Sequence, residues 1–330
     1  MRFLLIGSGS IGRRHLANLR QLFPRAPIDV LSSRGRPLES PLEATRVVHS
    51  LDESLSSGLD AAIVASPAPF HLAACRTLLD AGVSVLVEKP LSDSLDGVDD
   101  LLAVARKRNR LLMVGYTLRF HPAIGSLQNA LQEGAVGRVL SARFEVGQYL
   151  PDWRPTQNYR ETVSARCELG GGALLELSHE IDYAQVLLGP IAQVSALVSR
   201  VSDLEIDVDD CVDMTVRFAG GAQASIHLDL LQRSVFRGCR LIGTDGTLEW
   251  DAPAQQVRHY DAVRREWTVR LSTAGIDRNE MYLAELRHFL NAIETGNDPL
   301  ETAAGARSTL QVIEAARRSA AEGRLMEVLQ

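Results

Sequence analysis

Residues 2–12 are Arg2-Phe3-Leu4-Leu5-Ile6-Gly7-Ser8-Gly9-Ser10-Ile11-Gly12. The opening residues form the apolar run of a buried parallel strand, and the glycines have the spacing G-x-G-x-x-G. Residues 13–19 continue with helical periodicity. In such a strand–turn–helix unit Gly7 permits the tight turn, Gly9 lets the backbone approach a pyrophosphate, and Gly12 allows close helix–strand packing. The pattern therefore predicts a dinucleotide site.

The phosphates of the dinucleotide are expected at the N-terminus of this helix. Unpaired amide groups and the helix dipole favour an anion there, so Ser10 and Ile11 join the glycines as cofactor-binding residues. His15 follows on the first helical turns. We interpret it as an ordinary polar residue.

The rest of the chain divides into two patterns. Residues 1–120 alternate strand and helix signals, which predicts a Rossmann domain with a doubly wound parallel sheet. From Val139 onward, long alternating segments with hairpin turns predict a large, mostly antiparallel sheet with one covered face. Helices are expected at 172–188, 280–294 and 304–322. We therefore predict an α/β fold, with the Rossmann domain over 1–120 and a C-terminal α/β domain with an open sheet over 121–330.

Composition narrows the class of protein. The 330 residues carry a net charge of −6 with both signs interspersed, which gives no nucleic-acid footprint. The four cysteines lack C-x-x-C spacing, which favours reduced thiols over disulfides or zinc, and we expect no metal. A strand at the N-terminus leaves no room for a signal peptide, and no apolar run reaches membrane-spanning length. We expect a cytoplasmic protein that is not a membrane protein.

Another strand pattern, residues 83–87, leads directly into Glu88-Lys89-Pro90. Parallel sheets bind ligands outside the carboxyl ends of their strands, which would put Lys89 at the ligand site. Pro90 fixes its own φ and keeps Lys89 out of the helical region. A lysine beside a cationic nicotinamide ring can take part in acid–base chemistry. The alternative is a solvated lysine after an edge strand.

A third motif lies in the C-terminal half. Three glycines, Gly170-Gly171-Gly172, precede a helical pattern in which Glu176, His179, Asp182 and Tyr183 share one face. Ionisable groups on one stripe among leucines need partners, and a ligand pocket can supply them. The alternative is a solvent-facing stripe.

The same glutamate and histidine also permit a rival interpretation. Glu176-x-x-His179 and Glu285-x-x-His288 match the spacing of carboxylate di-metal sites in helix bundles. Such sites need further glutamates on a four-helix core, whereas this region is rich in strand signals. We therefore disfavour a di-metal site.

These motifs follow one another along nearly the whole chain. In order after the first glycines they are Ser66-Pro67 with His71, Glu88-Lys89-Pro90, Gly115-Tyr116 with Arg119-Phe120 and Pro122, the His179 segment, and Gly243-Thr244-Asp245-Gly246. The combination resembles the Gfo/Idh/MocA oxidoreductases, the glucose–fructose oxidoreductase and inositol dehydrogenase family.

The resemblance implies NAD(P)-dependent hydride transfer at a hydroxyl or keto carbon of a sugar, nucleotide sugar or cyclitol. It also implies a homo-dimer or homo-tetramer formed through the open C-terminal sheet. Lys89 and His179 would be catalytic, with Glu176 in place of the aspartate that many members carry four residues before the histidine, where this chain has Leu175. The cofactor would further contact Ser66, Pro67, His71, Glu88 and Lys89, and the substrate Lys89, Tyr116, Arg119, His179 and, through a hydroxyl, Asp182.

A loop before the three glycines offers additional substrate contacts. Trp153 and Tyr159 can stack on a sugar ring, while Arg154 and Arg160 can hold a carboxylate or phosphate. We include Trp153 and Arg160 among the substrate-binding residues. The alternative is that the aromatic side chains only anchor the loop.

The end of the second strand bears on cofactor preference. Residues 28–31 lead into Ser32-Ser33-Arg34 and lack the acid that accepts the ribose 2′-OH of NAD in NAD-preferring Rossmann proteins. Ser33 and Arg34 are suited to a 2′-phosphate. We predict that NADP(H) is preferred, with a dual-specific enzyme that also accepts NAD(H) as the alternative.

The motifs together predict an oxidoreductase that acts on a carbohydrate-like small molecule. The alternative from another class is a non-catalytic NAD(P)-binding regulator of the same fold. Because a sensor needs neither Lys89 nor His179, the presence of both favours the enzyme.

Overall fold

Within residues 1–32 and 46–117, six strands form one parallel sheet. The computed structural model describes residues 1–32, 46–296 and 303–329. The elements follow in alternation: β1 (Phe3–Ile6), α1 (Ser10–Leu22), β2 (Ile28–Leu31), β3 (Arg46–Val48), α2 (Leu51–Leu55), β4 (Ala61–Val64), α3 (His71–Asp80), β5 (Ser84–Glu88), α4 (Val98–Arg108) and β6 (Leu112–Gly115). The strand order is β3-β2-β1-β4-β5-β6, and every neighbouring pair is parallel. The doubly wound sheet predicted from the sequence is confirmed.

The sequence of these strands explains why they lie in the centre of the sheet. All four residues of β1 and all four of β4 are apolar and buried. Strands covered by helices on both faces have no solvent side, so they carry continuous apolar runs instead of alternation. Full burial of a side chain such as Leu4 contributes roughly 1.5–3 kcal/mol to stability.

A second sheet is built from the later part of the chain. Its elements are α5 (Pro122–Gln132), β7 (Val139–Gly147), α6 (Ala173–Glu176), α7 (His179–Leu188), β8 (Ile191–Ser199), β9 (Cys211–Phe218), β10 (Gln223–Asp229), β11 (Phe236–Gly243), β12 (Gly246–Asp251), β13 (Gln256–Asp261), β14 (Glu266–Ser272), α8 (Asn279–Thr295), α9 (Ala303–Glu322) and β15 (Met326–Glu327). Of these, α8 belongs to the same compact unit as the first sheet. The strand order is β14-β13-β12-β11-β7-β10-β9-β8-β15. Among the described strands of this second sheet only β7 and β10 pair in parallel.

One face of this sheet is covered and the other is open. On β9 the side chains of Val212, Met214 and Val216 are buried, and the residues between them face outward. The buried Tyr183 of α7 packs edge-on against Phe144, with ring centroids 5.5 Å apart. The mostly antiparallel, open sheet predicted from the alternation is confirmed.

The chain packs into two compact units. The first is Met1–Thr117 with Arg278–Arg307, and the second is Leu118–Asp277 with Ser308–Gln330. The division between 120 and 121 made from the sequence stays a prediction about domains. In the first unit α8 packs on α1, where Asn279 donates to Asn18 at 2.8 Å.

Three strands of the open sheet, β13, β14 and β15, have no counterpart in the sequence-based prediction. Every residue of β14 is exposed except Leu271, which is half-buried, and β13 buries only Val257. The sequence of β14 alternates Trp267, Val269 and Leu271 with polar residues, but these side chains are exposed or half-buried. Neither β13 nor β14 therefore has the buried apolar face of the predicted strands. Across the described ranges no helix is both long and apolar enough to span a bilayer.

Candidate active site

The glycine-rich turn joins β1 to α1. Gly7 has φ of +101°, and its N–H donates to the carbonyl of Leu31 at 2.9 Å. A Cβ at Gly7 would overlap the carbonyl oxygen of Ala65, and a Cβ at Gly12 would overlap that of Gly7 itself. A Cβ at Gly9 would meet nothing within 4 Å. Two glycines are therefore required by packing, while the third leaves the backbone open to a ligand.

The first turn of α1 has the features of a phosphate site. Gly9 is its N-cap and has no side-chain cap, and the first helical bond runs from the N–H of Arg13 to the carbonyl of Gly9. The amides of Ser10, Ile11 and Gly12 thus precede the first bonded N–H of the helix. Amides of this kind with the positive end of the dipole suit a pyrophosphate, so the residues fit a dinucleotide.

The three glycines should respond differently to alanine. We expect Gly9→Ala to keep the melting temperature of the wild type but to weaken binding of the reduced nicotinamide cofactor at least about tenfold, because a Cβ there would occupy the ligand side. Gly7→Ala should instead lower the melting temperature, since an L side chain is strained at its φ. Cofactor fluorescence titration and thermal unfolding measure the two effects. Unchanged cofactor affinity in Gly9→Ala would contradict the assignment.

His71 links the ends of β4 and β5. Its side chain is fully buried, with Nε2 2.6 Å from the carbonyl oxygen of Ser66 and Nδ1 3.0 Å from that of Pro90. Burial lowers the pKa of His71 below 6.5 despite these carbonyls, and a neutral ring donates to only one of them. Within the described structure His71 therefore holds two strand ends together, and its contact with the cofactor, like those of Ser66 and Pro67, stays a prediction.

Lys89 lies at the carboxyl end of β5. It is half-buried, directly after the buried Glu88 and before Pro90, and the Lys89–Pro90 peptide is cis. The chain contains only one other lysine, Lys107. In the sheet order β4 separates β5 from β1. Lys89 is therefore two strand spacings, roughly 10 Å, across the sheet from the glycine turn.

The structure gives His15 a partner that the sequence does not reveal. Its Nε2 lies 2.7 Å from Oε1 of Glu88, and the imidazole is completely buried. The interpretation of His15 as an ordinary polar residue was wrong. Its spacing from Gly12 already puts it on the buried face of α1, but Glu88 is 73 residues away in the sequence.

Three other predicted residues are Tyr116, Ser33 and Arg34, of which the structure describes only Tyr116. Tyr116 is fully buried, so its predicted substrate contact would need a rearrangement of its surroundings. Ser33 and Arg34 lie outside the described residues. Asp29, the nearest acid of β2, is buried and accepts from Arg46 at 2.7 Å and from Ser54 at 2.8 Å. Burial opposes ionisation of Asp29, but these hydrogen bonds outweigh it and lower its pKa.

In the second unit close packing requires Gly171 and Gly172, where a Cβ would overlap neighbouring atoms. Gly172 has φ of +102°, and a Cβ there would overlap a carboxylate oxygen of Asp209. That carboxylate accepts from the N–H of Leu174 at 2.8 Å, and the backbone carbonyl of Asp209 accepts from Ala173 at 2.9 Å. Gly172 thus lets the start of α6 approach Asp209.

The helix predicted over 172–188 is interrupted. Helix α6 ends at Glu176 and α7 begins at His179, because Leu177 and Ser178 form a tight turn in which the N–H of Ser178 bonds to Leu175. Glu176 accepts from the hydroxyl of Ser164 at 2.7 Å, and His179 is half-buried at the first turn of α7. The acid and the histidine therefore stand on separate short helices and not on one stripe.

Asp182 and Arg119 form a buried bidentate pair. The guanidinium donates through Nε at 2.9 Å and through its terminal nitrogen at 2.7 Å, one bond to each carboxylate oxygen. Asp182 is 1% exposed, and the side chain of Arg119 is 16% exposed. Asp182 thus orients Arg119, and it also accepts from the hydroxyl of Thr309 at 3.5 Å. Its contact with a substrate hydroxyl stays a prediction.

The loop residues proposed to hold substrate have partners within the second unit. The indole N–H of Trp153 donates to the carbonyl of Gln148 at 3.0 Å. Arg160 is exposed and donates to Glu205 at 2.6 Å, above the ring of Tyr159. Their roles in substrate binding stay predictions.

One set of metal-ligand types occurs in the described parts of the chain. The ligand atoms of Cys211, Asp213 and His227 lie within 4.8 Å of one another on the open face of β9 and β10. His227 already contacts Asp213 at 2.7 Å and Asp229 at 3.0 Å, through one nitrogen each. The cluster is thus internally hydrogen-bonded.

This cluster gives stability a defined pH dependence. Hydrogen bonding to Asp229 and then Asp213 raises the pKa of His227 from 6.5 to about 9. A raised pKa in the folded state stabilises the fold fully below pH 6.5, and that contribution disappears as the pH rises to about 9. We expect His227→Gln to lower the melting temperature by a few degrees at pH 6 and hardly at all at pH 9.5. His49→Gln, at an exposed histidine, is the control. An equal loss at both values would contradict the assignment.

Three features together define a nicotinamide-dependent oxidoreductase. They are the strand order of the first sheet, the open glycine turn at the point where that order reverses, and a lysine at the end of a nearby strand. Comparisons with known proteins agree. The description "Oxidoreductase family, NAD-binding Rossmann fold" matches residues 1–116, and "GFO/IDH/MocA C-terminal domain" matches residues 124–249. The chain belongs to the Gfo/Idh/MocA oxidoreductase family.

Full-length relatives carry enzyme names. A 1,5-anhydro-D-fructose reductase of Ensifer adhaerens is 26% identical over 339 residues, which cover 99% of this chain and 98% of the relative. A myo-inositol 2-dehydrogenase of Thermotoga maritima is 27% identical over 350 residues, with the same two coverages. The structure of a levoglucosan dehydrogenase in complex with NADH superimposes with a TM-score of 0.88 at 23% identity, covering 100% of this chain and 99% of the other, and shows the shared fold. The chain is an NAD(P)-dependent oxidoreductase.

Proposed function

We propose that the enzyme transfers hydride between nicotinamide and a hydroxyl or keto carbon of a sugar, nucleotide sugar or cyclitol. The observation that carries the proposal is the position of Lys89, at the end of β5 and two strands from the dinucleotide turn. The names of the two full-length relatives, a sugar-derivative reductase and an inositol dehydrogenase, support this class of substrate.

The proposed chemistry assigns a separate task to each residue. The bound nicotinamide accepts or supplies the hydride. Lys89 donates a hydrogen bond to the reacting oxygen and polarises it, and His179 accepts or returns the hydroxyl proton. Glu176 is the proposed acid partner on the helix before His179. Arg119 is the proposed substrate-binding guanidinium, and its bidentate pair with Asp182 holds it in place.

The experiment that tests this function is a substrate panel. Sugars, nucleotide sugars and cyclitols are each incubated with NAD and NADP, and their keto forms with NADH and NADPH, while the absorbance of the reduced nicotinamide is followed. Turnover of a polyol confirms the class. Cofactor binding with no turnover across the panel would contradict it and would favour a regulator.

We also propose that NADP(H) is the preferred cofactor. Asp29 supports this, because its carboxylate is already bound by Arg46 and Ser54 and does not take the place of the missing ribose acid. Arg34 would then meet the 2′-phosphate, so Arg34→Ala should lower kcat/KM with NADP at least about tenfold and change kcat/KM with NAD little. Arg25→Ala, on the turn before β2, is the matched control. A wild-type ratio of kcat/KM that favours NAD would overturn the proposal.

The open face of the second sheet is our proposed interface for a homo-dimer or homo-tetramer. Large apolar side chains are exposed there at both ends, Leu197 on β8 and Trp267 and Val269 on β14. Sheet faces of this kind bury apolar area when two copies pack together. Sedimentation velocity of the wild type and of Leu197→Asp tests the interface, and a monomeric wild type would contradict it.

A further inference from the structure

The buried pair of His15 and Glu88 is adjacent to Lys89 in both sequence and structure. His15 is 0% exposed on α1, Glu88 is 8% exposed at the end of β5, and their side chains are 2.7 Å apart. The imidazole stands three residues after Gly12, on the helix whose first turn forms the phosphate site. The pair thus connects that helix to the residue before Lys89.

Within the described residues, the imidazole of His15 makes only one hydrogen bond, between Nε2 and the carboxylate of Glu88. Its other nitrogen, Nδ1, is buried and has no hydrogen-bond partner within the described residues. Its neighbours on the same helical face, Leu16 and Leu19, are buried apolar residues. An unsatisfied polar atom in such surroundings opposes folding, so packing alone does not account for a histidine here. The hydrogen bond from Nε2 of His15 to the carboxylate of Glu88 does account for a histidine at this position.

Lys89 lies between two anchored residues. On one side Glu88 pairs in register with Gly115 of β6, and its carboxylate lies 3.4 Å from the position that a Cβ of Gly115 would take. On the other side the carbonyl of Pro90 contacts His71 at 3.0 Å. Without His15 the buried carboxylate would lose its bond and turn towards solvent, moving the peptide that carries Lys89.

We propose that His15 is a positioning residue: through Glu88 it fixes Lys89 relative to the phosphate-binding turn of its own helix. This inference rests on the proposed function, in which Lys89 polarises the reacting oxygen. His15 touches neither substrate nor cofactor in this scheme. It acts only through the bond to Glu88.

Two replacements of His15 separate the hydrogen bond from the size of the side chain. His15→Leu removes the donor, and turnover should fall at least about tenfold, since small misplacements of a catalytic group have effects of this size. His15→Gln retains an amide donor and should keep turnover within about threefold of the wild type, with the cofactor KM little changed in both variants. Equal losses in the two variants would overturn the proposal.

Two further variants distinguish positioning from stability. The double variant His15→Leu/Glu88→Leu removes the buried charge with its donor and should restore the melting temperature but not turnover. Asn18→Leu is the matched control, because Asn18 is also a buried polar residue of α1 with a side-chain hydrogen bond, but its partner is Asn279. It should leave turnover unchanged. Recovery of turnover in the double variant would show that His15 serves stability alone.

The effect of His15 should pass through Lys89. In a Lys89→Ala background, His15→Leu should lower turnover by less than about twofold further, because residues acting through one group are not additive. The full tenfold loss in that background would contradict positioning of Lys89.

A measurement without turnover uses the low lysine content of the chain. Lys107, exposed on α4, is the only other lysine and serves as the internal reference. The apoenzyme is treated with an amine-reactive label, and the ratio of Lys89 to Lys107 labelling is read by peptide mass spectrometry. It should change several-fold in His15→Leu and stay constant in His15→Gln and Asn18→Leu. A constant ratio in all variants overturns the inference, whereas a changed ratio in an enzyme that oxidises no substrate refutes only the proposed function.

Discussion

Lys89→Ala is expected to lower turnover at least about a hundredfold, the scale on which positioned acid–base groups act. The lysine stands at the end of β5, where it would meet the reacting oxygen, and no other lysine apart from Lys107 exists to replace it. Cofactor affinity should change much less, because the phosphates rest on the turn from Gly7 to Gly12. Steady-state kinetics on a substrate found in the panel, with a fluorescence titration of the cofactor, measure both.

Lys107→Ala is the control for this variant. Its side chain is exposed on α4, so turnover should stay at the wild-type level. If Lys89→Ala kept near-normal turnover, or if it lost cofactor binding in proportion to turnover, the proposed role of the lysine would be refuted.

His179→Ala is expected to produce a loss of similar size, again at least about a hundredfold in turnover, because the hydroxyl proton would have no acceptor. Added imidazole should restore part of the lost activity, since it fits the space left by the ring and accepts the same proton. The measurement is turnover against imidazole concentration at fixed pH and ionic strength.

The control for His179 comes from the second Glu-x-x-His sequence of the chain. His288→Ala removes a half-buried histidine of α8 with the same spacing from Glu285, and it should keep turnover within about twofold. Absence of any imidazole rescue in His179→Ala, together with a large loss in His288→Ala, would argue against the proton-transfer role.

The first sheet could be predicted because its signals are local. A fully apolar strand, the glycine spacing and the helical period that follows all lie within about twenty residues, and each requires only a backbone turn and a covered face. The end of β5 could be recognised in the same way. By contrast β14 alternates Trp267, Val269 and Leu271 with polar residues but has no buried face, so only the tertiary structure shows that it is an edge strand of the second sheet.

The candidate site could be predicted only in part. The sequence identified Lys89 and His179 from their motifs, but it combined residues 172–188 into one helix. The break at Leu177 and Ser178 could not be predicted, because the apolar period continues across it. The closely packed Asp209, which explains Gly172, comes from a distant loop.

The sequence by itself determined the class of fold, the dinucleotide turn and the lysine at the strand end, because strand, turn and helix preferences act between near neighbours. Only the tertiary structure decided which side chains became partners. His15 meets Glu88 across 73 residues, and Arg119 meets Asp182 across 63. Those pairs depend on the order and register in which strands and helices pack, and a buried polar group accepts whichever partner that packing brings within hydrogen-bond distance.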